Sequence, residues 1–275
     1  MKVYISVDME GIACVTHGDH TKLEGTEYEM ARKWMTAEAN AAVEGALEAG
    51  ASHVVVADSH GHMRNILPDE LNEKALLVRG SPRPQTMMEG LDASFAAAFF
   101  VGYHSMAGTP TGVLAHTYIG PVHALRLNGT TVGEPGFNAA IAGHYGVPLA
   151  LVCGDDTVDA EVSALMPWSQ RVITKWGISP LAATNLAPKA SQKAIREAAK
   201  RALERVKEMK PLAFKPPIRF EVDLKHPLQA YLAADIPGVE RINGGRTLAY
   251  TGKDMLEVVR IWRLMINAML GEFFV

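Results

Sequence analysis

Apolar positions in this chain come in short dense runs, and each run stops at a polar cluster. Val3 to Val7 is a β-branched and aromatic run of strand length that ends at Asp8, Glu10 and Gly11, placing both carboxylates at the strand's C-terminal edge. Tyr28 to Ala49 is Ala-rich with helical spacing, and Gly50 supplies its C-cap. His53 to Ala57 predicts a second buried strand, which runs into Asp58, Ser59, His60 and Gly61. Phe95 to Val101 predicts a third, followed by Gly102, Tyr103 and His104; Gly136 to His144 reads as helix, and Pro148 to Cys153 as a fourth strand ending at Gly154, Asp155 and Asp156. Strands alternating with helices predict a three-layer α/β/α fold around a mostly parallel sheet. Ligands of such sheets gather outside the carboxyl ends of the strands.

The pattern changes after Pro167. Pro188 to Lys210 is amphipathic, with Ile195, Ala199, Leu203 and Val206 on one stripe, and Pro211, Pro216 and Pro217 end it. Ile218 to Leu224 alternates as a half-buried strand does; His226 to Ala234 reads as helix, Arg246 to Thr251 as strand, and Asp254 to Met269 as a helix capped by Asp254. The order predicts a smaller C-terminal α+β plait-like domain. The expected organisation is therefore an α/β metal-binding catalytic domain over 1–165 and the α+β domain over 185–275, joined by a segment around 166–184.

Composition narrows the partners. The 275 residues are 48% hydrophobic and 21% charged, ordinary for a globular chain with a sizeable core. Lys and Arg number 27 against 30 Asp and Glu, a net charge of -3, so no basic field exists to hold nucleic acid. Two cysteines, Cys14 and Cys153, make no disulfide framework and suit a reducing compartment. The N-terminus lacks the apolar core of a signal peptide, and no run nears the roughly 18 residues of a membrane helix. The expectation is a cytoplasmic protein with no membrane partner.

The polar clusters carry the candidate chemistry: Asp8 with Glu10, Asp58 to His62, Gly102 to His104, and His116 with Glu134. Mixed carboxylates and imidazoles are a ligand set for zinc or manganese, and a two-ion site needs about five or six such groups with one bridging carboxylate. Alternation places Asp8 and Glu10 on one strand face, although two acids near a strand end also serve as a helix cap and a solvated side chain. Asp58 is placed to receive the second ring N–H of a liganding histidine. His116 lies in a strand-like run, Gly112 to Ile119, where it suits a general acid or base, a nucleophile, or a buried structural histidine. Ser59 and Ser105 lack a nucleophile elbow, and Gly129 to Gly136 matches no phosphate-binding loop. His17, Asp19 and His20 read as a solvated loop, and His123, His144 and His226 as structural.

Together these motifs resemble one family. VYISVDMEG at Val3 to Gly11, Asp58-Ser59-His60, Gly102-Tyr103-His104, Ala115-His116, Val132-Gly133-Glu134 with Gly136, Asn138 and Ala139, Gly154-Asp155-Asp156, and Lys253 to Glu257 occur in the order seen in zinc-dependent D-aminopeptidases of the dipeptide-transport-protein type. The resemblance covers nearly the whole chain. It implies a self-compartmentalising metallo-aminopeptidase acting on short peptides, with two Zn²⁺ per subunit (Mn²⁺ or Co²⁺ as substitutes) and ten subunits in two stacked pentameric rings. By motif match Asp8 is the bridging carboxylate, Glu10, His60, His104 and Glu134 are the other metal ligands, and His116 is the catalytic nucleophile or acid/base. Competing readings keep the metals for an amidase or phosphoesterase, or make the chain a non-catalytic peptide- or metal-binding accessory. A phosphoesterase would want cations beside the ligands, and Arg64, Arg79 and Arg83 adjoin none in sequence.

Overall fold

The computed structural model describes residues 1–270. The chain begins with β1 (Lys2–Val7), the short helix α1 (Gly18–Thr21), the long helix α2 (Tyr28–Glu48) and β2 (His53–Asp58). Next come β3 (Ala75–Val78), β4 (Ala97–Tyr103), β5 (Val122–Leu127), β6 (Thr130–Val132), α3 (Glu134–His144), β7 (Leu149–Asp155) and α4 (Asp156–Leu165). They are followed by β8 (Gln170–Ser179), β9 (Ala182–Asn185), α5 (Pro188–Glu204), β10 (Ile218–Leu224), α6 (Pro227–Ala233), β11 (Glu240–Ile242), β12 (Thr247–Gly252) and α7 (Met255–Leu270).

A seven-stranded sheet runs β3-β2-β1-β4-β7-β8-β9, parallel throughout except for the β8–β9 pair. The chain leaves β1 toward β2 on one side and returns to β4 on the other. Strand order therefore reverses between β1 and β4, and the crevice at their carboxyl ends is where this architecture places ligands. Alternation along β1 fills both faces. Val3, Ile5 and Val7 pack with Ala39, Ala42 and Ala46 of α2 and with Ile195, Ala199 and Leu203 of α5, while Tyr4 packs on the opposite side with Phe100 and Phe137. Each such large side chain, fully buried, stabilises by about 1.5–3 kcal/mol. Small residues let α2 and α5 approach closely: a Cβ on Gly45 would lie 2.2 Å from the Arg196 carbonyl oxygen. Gly50, at φ +87°, ends α2 as expected, with the Ala51 N–H bonded to the Ala46 carbonyl and the Gly50 N–H to that of Leu47, both at 3.0 Å.

The second sheet, β11-β12-β10-β5-β6, is antiparallel throughout. Ile218, Phe220, Val222 and Leu224 point inward from β10 and meet Trp262 of α7 and Phe137 of α3, in the core that holds Tyr4 and Phe100. The rings of Phe220 and Trp262 meet edge to face at 5.6 Å.

Fold class and most strands agree with the pattern in the sequence, but the expected boundary between domains does not. Residues 166–184, expected to join two domains, supply β8 and β9 of the first sheet. β9 is the sheet's edge strand and β8 lies beside it with Trp176 and Ile178 exposed, so no continuous apolar run marks them. Conversely, β5 and β6 from within 1–165 pair in the second sheet, and α5 from within 185–275 packs on α2. The two sheets interleave along the chain and share one core. Residues 112–119 form turns rather than a strand, with positive φ at Leu114 and Tyr118. Among the described residues, no helix is long and apolar enough to cross a membrane.

Candidate active site

Six side chains from separate parts of the chain meet at the crevice. Asp8 and Glu10 follow β1, His60 follows β2, His104 follows β4, His116 lies in the irregular connection from β4 to β5, and Glu134 opens α3. The Nδ1 of His60 lies 3.2 Å from Asp8 Oδ1 and 3.0 Å from Glu10 Oε2. His104 Nε2 is 3.5 Å from both Asp8 Oδ2 and Glu134 Oε1, and His116 Nε2 is 3.9 Å from Glu134 Oε1. The rings of His104 and His116 stack at 4.2 Å. Ligand-type atoms of Asp8, Glu10 and His104, and separately of His104, His116 and Glu134, lie within 4.8 Å of one another. The structure thus brings together every residue singled out for metal binding or catalysis.

The donor set fits divalent cations. Each imidazole donates one N–H to a backbone carbonyl: His60 Nε2 to Thr21 at 2.8 Å, His104 Nδ1 to Ser105 at 2.9 Å, and His116 Nδ1 to Leu114 at 2.9 Å. Those bonds fix the tautomers, so each remaining nitrogen aims a lone pair at carboxylate oxygens. Lone pair against anion is repulsive unless a cation or proton lies between them. His104 Nε2 is buried and has no hydrogen-bond partner, as a ligand atom awaiting an ion would be.

Crowding of charge shifts the titrations. Burial, and next the nearby Glu10, push Asp8 up to about 7. Burial would raise Glu10 too, but His60 chiefly holds it well below the usual carboxylate range; His104 does the same for Glu134, to a lesser degree. For His60 and His104, burial opposes charging, yet Glu10 and Glu134 respectively hold them well above the ordinary imidazole value.

Backbone fit explains the glycines of the motifs. A Cβ on Gly11 would lie 1.9 Å from the Tyr103 carbonyl oxygen, and one on Gly102, at φ +72°, would lie 2.2 Å from that of Asp8. Only glycine allows the Asp8 and His104 segments to run this close. Beneath them the hydroxyl of Ser6 bonds both Ser59 and Tyr103 at 2.7 Å, Asn138 donates to the Tyr103 hydroxyl at 3.0 Å, and Tyr118 donates to Asn138 at 2.6 Å. These buried polar groups lock the strand ends together.

Other charges, buried or partly buried, position the loops. Lys175 on β8 is fully buried and donates to the backbone carbonyls of Glu10, Ile12 (2.9 Å) and Val15; burial holds its pKa down to about 8. Glu38 of α2 accepts the Ala13 N–H at 3.1 Å and the Ser191 hydroxyl at 2.7 Å. Asp155 accepts the Val113 N–H at 2.9 Å, and Glu161 accepts those of Met106 and Gly133, both at 3.0 Å. Nothing in sequence marked Lys175, Glu38 or Glu161. Glu38 and Glu161 each stand among other charges of a helix, and Lys175 falls in the stretch expected to join two domains.

Two expectations need correction. Asp58 does not back a liganding histidine: its carboxylate accepts from Asn65 Nδ2 and the Ile66 N–H, both at 2.7 Å, while Asn65 also donates to the His60 carbonyl at 2.7 Å. Local loop donors reach Asp58 first, and Thr21 takes the ring N–H instead. The 17–20 loop is only partly solvated, since His20 is buried with Nε2 3.0 Å from Glu27, although neither His17, Asp19 nor His20 joins the cluster. Arg83 spends its guanidinium on the carbonyls of Asp58, Val78 and Gly80, whereas Arg64 and Arg79 line a cavity that His60 borders. The serines are structural: Ser59 also donates to the Met87 carbonyl, and Ser105 accepts from Thr157.

The profile of the D-aminopeptidase family M55 matches residues 1–264. The chain belongs to the M55 D-aminopeptidases. It is 37% identical to the D-aminopeptidase of Bacillus subtilis (strain 168) over 276 residues, covering all of both chains. A solved structure of the Zn-dependent D-aminopeptidase DppA from Bacillus subtilis, a self-compartmentalizing protease, superposes with a TM-score of 0.96 at 36% identity, covering 99% of this chain and 100% of that one. The doubly wound sheet with its crevice cluster is therefore an M55 fold, and the family is one of peptide hydrolases.

Proposed function

We propose that this M55 member is a zinc-dependent aminopeptidase that removes N-terminal residues, D-amino acids among them, from short peptides. The observation that carries the reading is the convergence of three buried carboxylates on three imidazoles whose free nitrogens face them. Asp8 lies between the two groups of donors, its Oδ1 toward His60 and its Oδ2 toward His104, which suits a carboxylate bridging two ions. Glu10 and His60 would hold one ion, and His104 and Glu134 the other. Such a pair of divalent ions supplies Lewis acidity, polarising a carbonyl and lowering the pKa of water toward roughly 7.

The chain's own residues supply the rest. His116 has its Nδ1–H fixed on the Leu114 carbonyl, leaving the Nε2 lone pair free beside Glu134, and its side chain is 32% exposed while His104 behind it is buried. It can therefore take a proton at Nε2 from the attacking nucleophile and deliver it to the leaving amine, a contribution of about 10²–10⁴ in rate. Buried apolar walls and the ordered loops keep bulk water from the carboxylates.

We further infer a closed assembly of ten copies in two stacked rings, working in the cytoplasm. The β8–β9 hairpin supports assembly, for it exposes Trp176, Ile178 and Leu181 at 43%, 66% and 55% on a sheet edge. Sedimentation tests it: a monomer at micromolar concentration would contradict it. The activity is tested with purified protein and Zn²⁺, Mn²⁺ or Co²⁺ against D-alanyl and L-alanyl dipeptides and a phosphate ester. Release of the N-terminal residue from dipeptides is expected; no amide cleavage with any metal overturns the reading, and cleavage of the ester alone favours a phosphoesterase.

A further inference from the structure

A cavity of about 610 Å³ adjoins the candidate active site, and His60 is the wall they share. One ring edge of His60 faces Asp8 and Glu10; the other faces the carbonyl of Thr21, which also lines the cavity. Lys22, Arg32, Arg64 and Arg79 contribute four cationic side chains to the lining, against the single carboxylate of Glu24. Arg32 is held in place: its Nε donates to the Asn65 carbonyl at 2.7 Å, its Nη1 to Glu29 at 2.9 Å, and its guanidinium lies 5.4 Å from the centre of the Tyr28 ring. Arg79 is tethered more loosely, by a 3.3 Å bond from Nη2 to the Arg64 carbonyl. An excess of guanidinium groups in a concave site is a receptor for an anion, and the planar fork of Arg suits a carboxylate.

An aminopeptidase substrate has a cation at one end and a carboxylate at the other. Each residue advances an extended chain by at most about 3.3–3.6 Å, so in a di- or tripeptide the free carboxylate lies within one or two residues of the scissile bond. The cavity begins at His60, whose ring also faces Asp8 and Glu10, so it lies on the side of the site where so near a carboxylate could fall. In a longer peptide the charge falls elsewhere, and in a peptide amide it is missing.

We propose that this cavity binds the C-terminal carboxylate of short peptide substrates, with Arg64 and Arg79 as the residues that select for it. The proposal rests on the peptidase reading, which fixes where the scissile bond lies. It makes short chain length a property of each subunit, separate from any limit that an assembly imposes on access.

Both arginines are exposed, and replacing them leaves the core intact. The test compares D-alanyl-D-alanine with D-alanyl-D-alaninamide on the metal-loaded enzyme and on its Arg64→Ala/Arg79→Ala variant. The free acid should have a KM about tenfold lower than the amide, the ratio that a charge-assisted contact supplies. In the double variant the two substrates should become equivalent, with amide turnover and metal content unchanged, and Arg79→Lys should keep part of the preference. Calorimetry with N-acetyl-D-alanyl-D-alanine and its amide reads the same preference without turnover. Equal affinity for acid and amide, or a preference that survives the double substitution, overturns the proposal. Dipeptides that are bound with this preference but never cleaved would overturn the peptidase reading alone.

Discussion

Asp8, Glu10 and His60 stand at the ends of paired parallel strands, whereas His116 stands in a connection with no regular structure, 12 residues beyond His104. The first three are fixed by the ladder and by charges beneath it: Lys175 on three carbonyls of the Glu10 loop, and Asn65 on that of His60. The fourth is fixed by side chains reaching across space, with Asp155 on Val113, Thr117 on Ala107 and Glu134 on Tyr118. The contrast teaches that holding cations and moving protons are assigned to differently built parts of one crevice. If so, the two roles should separate on mutation.

The largest effects test that separation directly. His104→Ala removes the one donor that belongs to both groups of ligand atoms, and should lose metal while lowering kcat/KM by about a thousandfold or more. His116→Ala should keep its metal and lower kcat by about 10²–10⁴. Elemental analysis beside steady-state kinetics distinguishes them; metal loss in both variants would merge the two regions into one.

Lys175→Met comes next. It leaves the carbonyls of Glu10, Ile12 and Val15 buried without their donor, and should destabilise by about 3 kcal/mol in urea denaturation. Weaker metal affinity, by about 10–100-fold, should accompany it, as for other residues that orient ligands. Asp155→Asn keeps an N-cap for α4 but weakens the grip on Val113, and should lower kcat about tenfold with metal content unchanged.

A further effect, on pH dependence rather than on activity, lies in the scaffold. Burial pushes Glu38 up to about 7, with the Ser191 and Ala13 hydrogen bonds and the nearby Lys175 opposing it. The folded protein then keeps a proton that the unfolded chain has released above about pH 4.5, so stability falls as pH rises from there to about 7. The loss is about 3 kcal/mol at most. Glu38→Gln should remove that part of the slope between pH 5 and 7.5, seen in denaturation midpoints; an unchanged slope would assign it to other groups.

The same contrast governs what the sequence discloses. Strand ends announce themselves: an apolar run stopping at Asp8, His60 or His104 marks both the element and the residue presented at its edge, because a buried parallel strand must be apolar along its length. His116 carries no such mark, since turns with positive φ at Leu114 and Tyr118 are set by contacts from β7 and α3, distant in sequence. Lys175 and Glu161 are hidden for a related reason. One charge in an amphipathic stretch looks solvated until tertiary structure buries it. The strands β8 and β9 carry no apolar run because their hairpin at the end of the sheet is half exposed, and no division falls at 165 because β5 and β6 cross to the other sheet.

Zinc stoichiometry tests the central claim most directly. Protein dialysed against buffered free Zn²⁺ and measured by mass spectrometry of the metal should carry two ions per chain, and the His104→Ala variant no more than one. A chain that binds no stoichiometric zinc, or a variant that keeps both ions, would contradict the account.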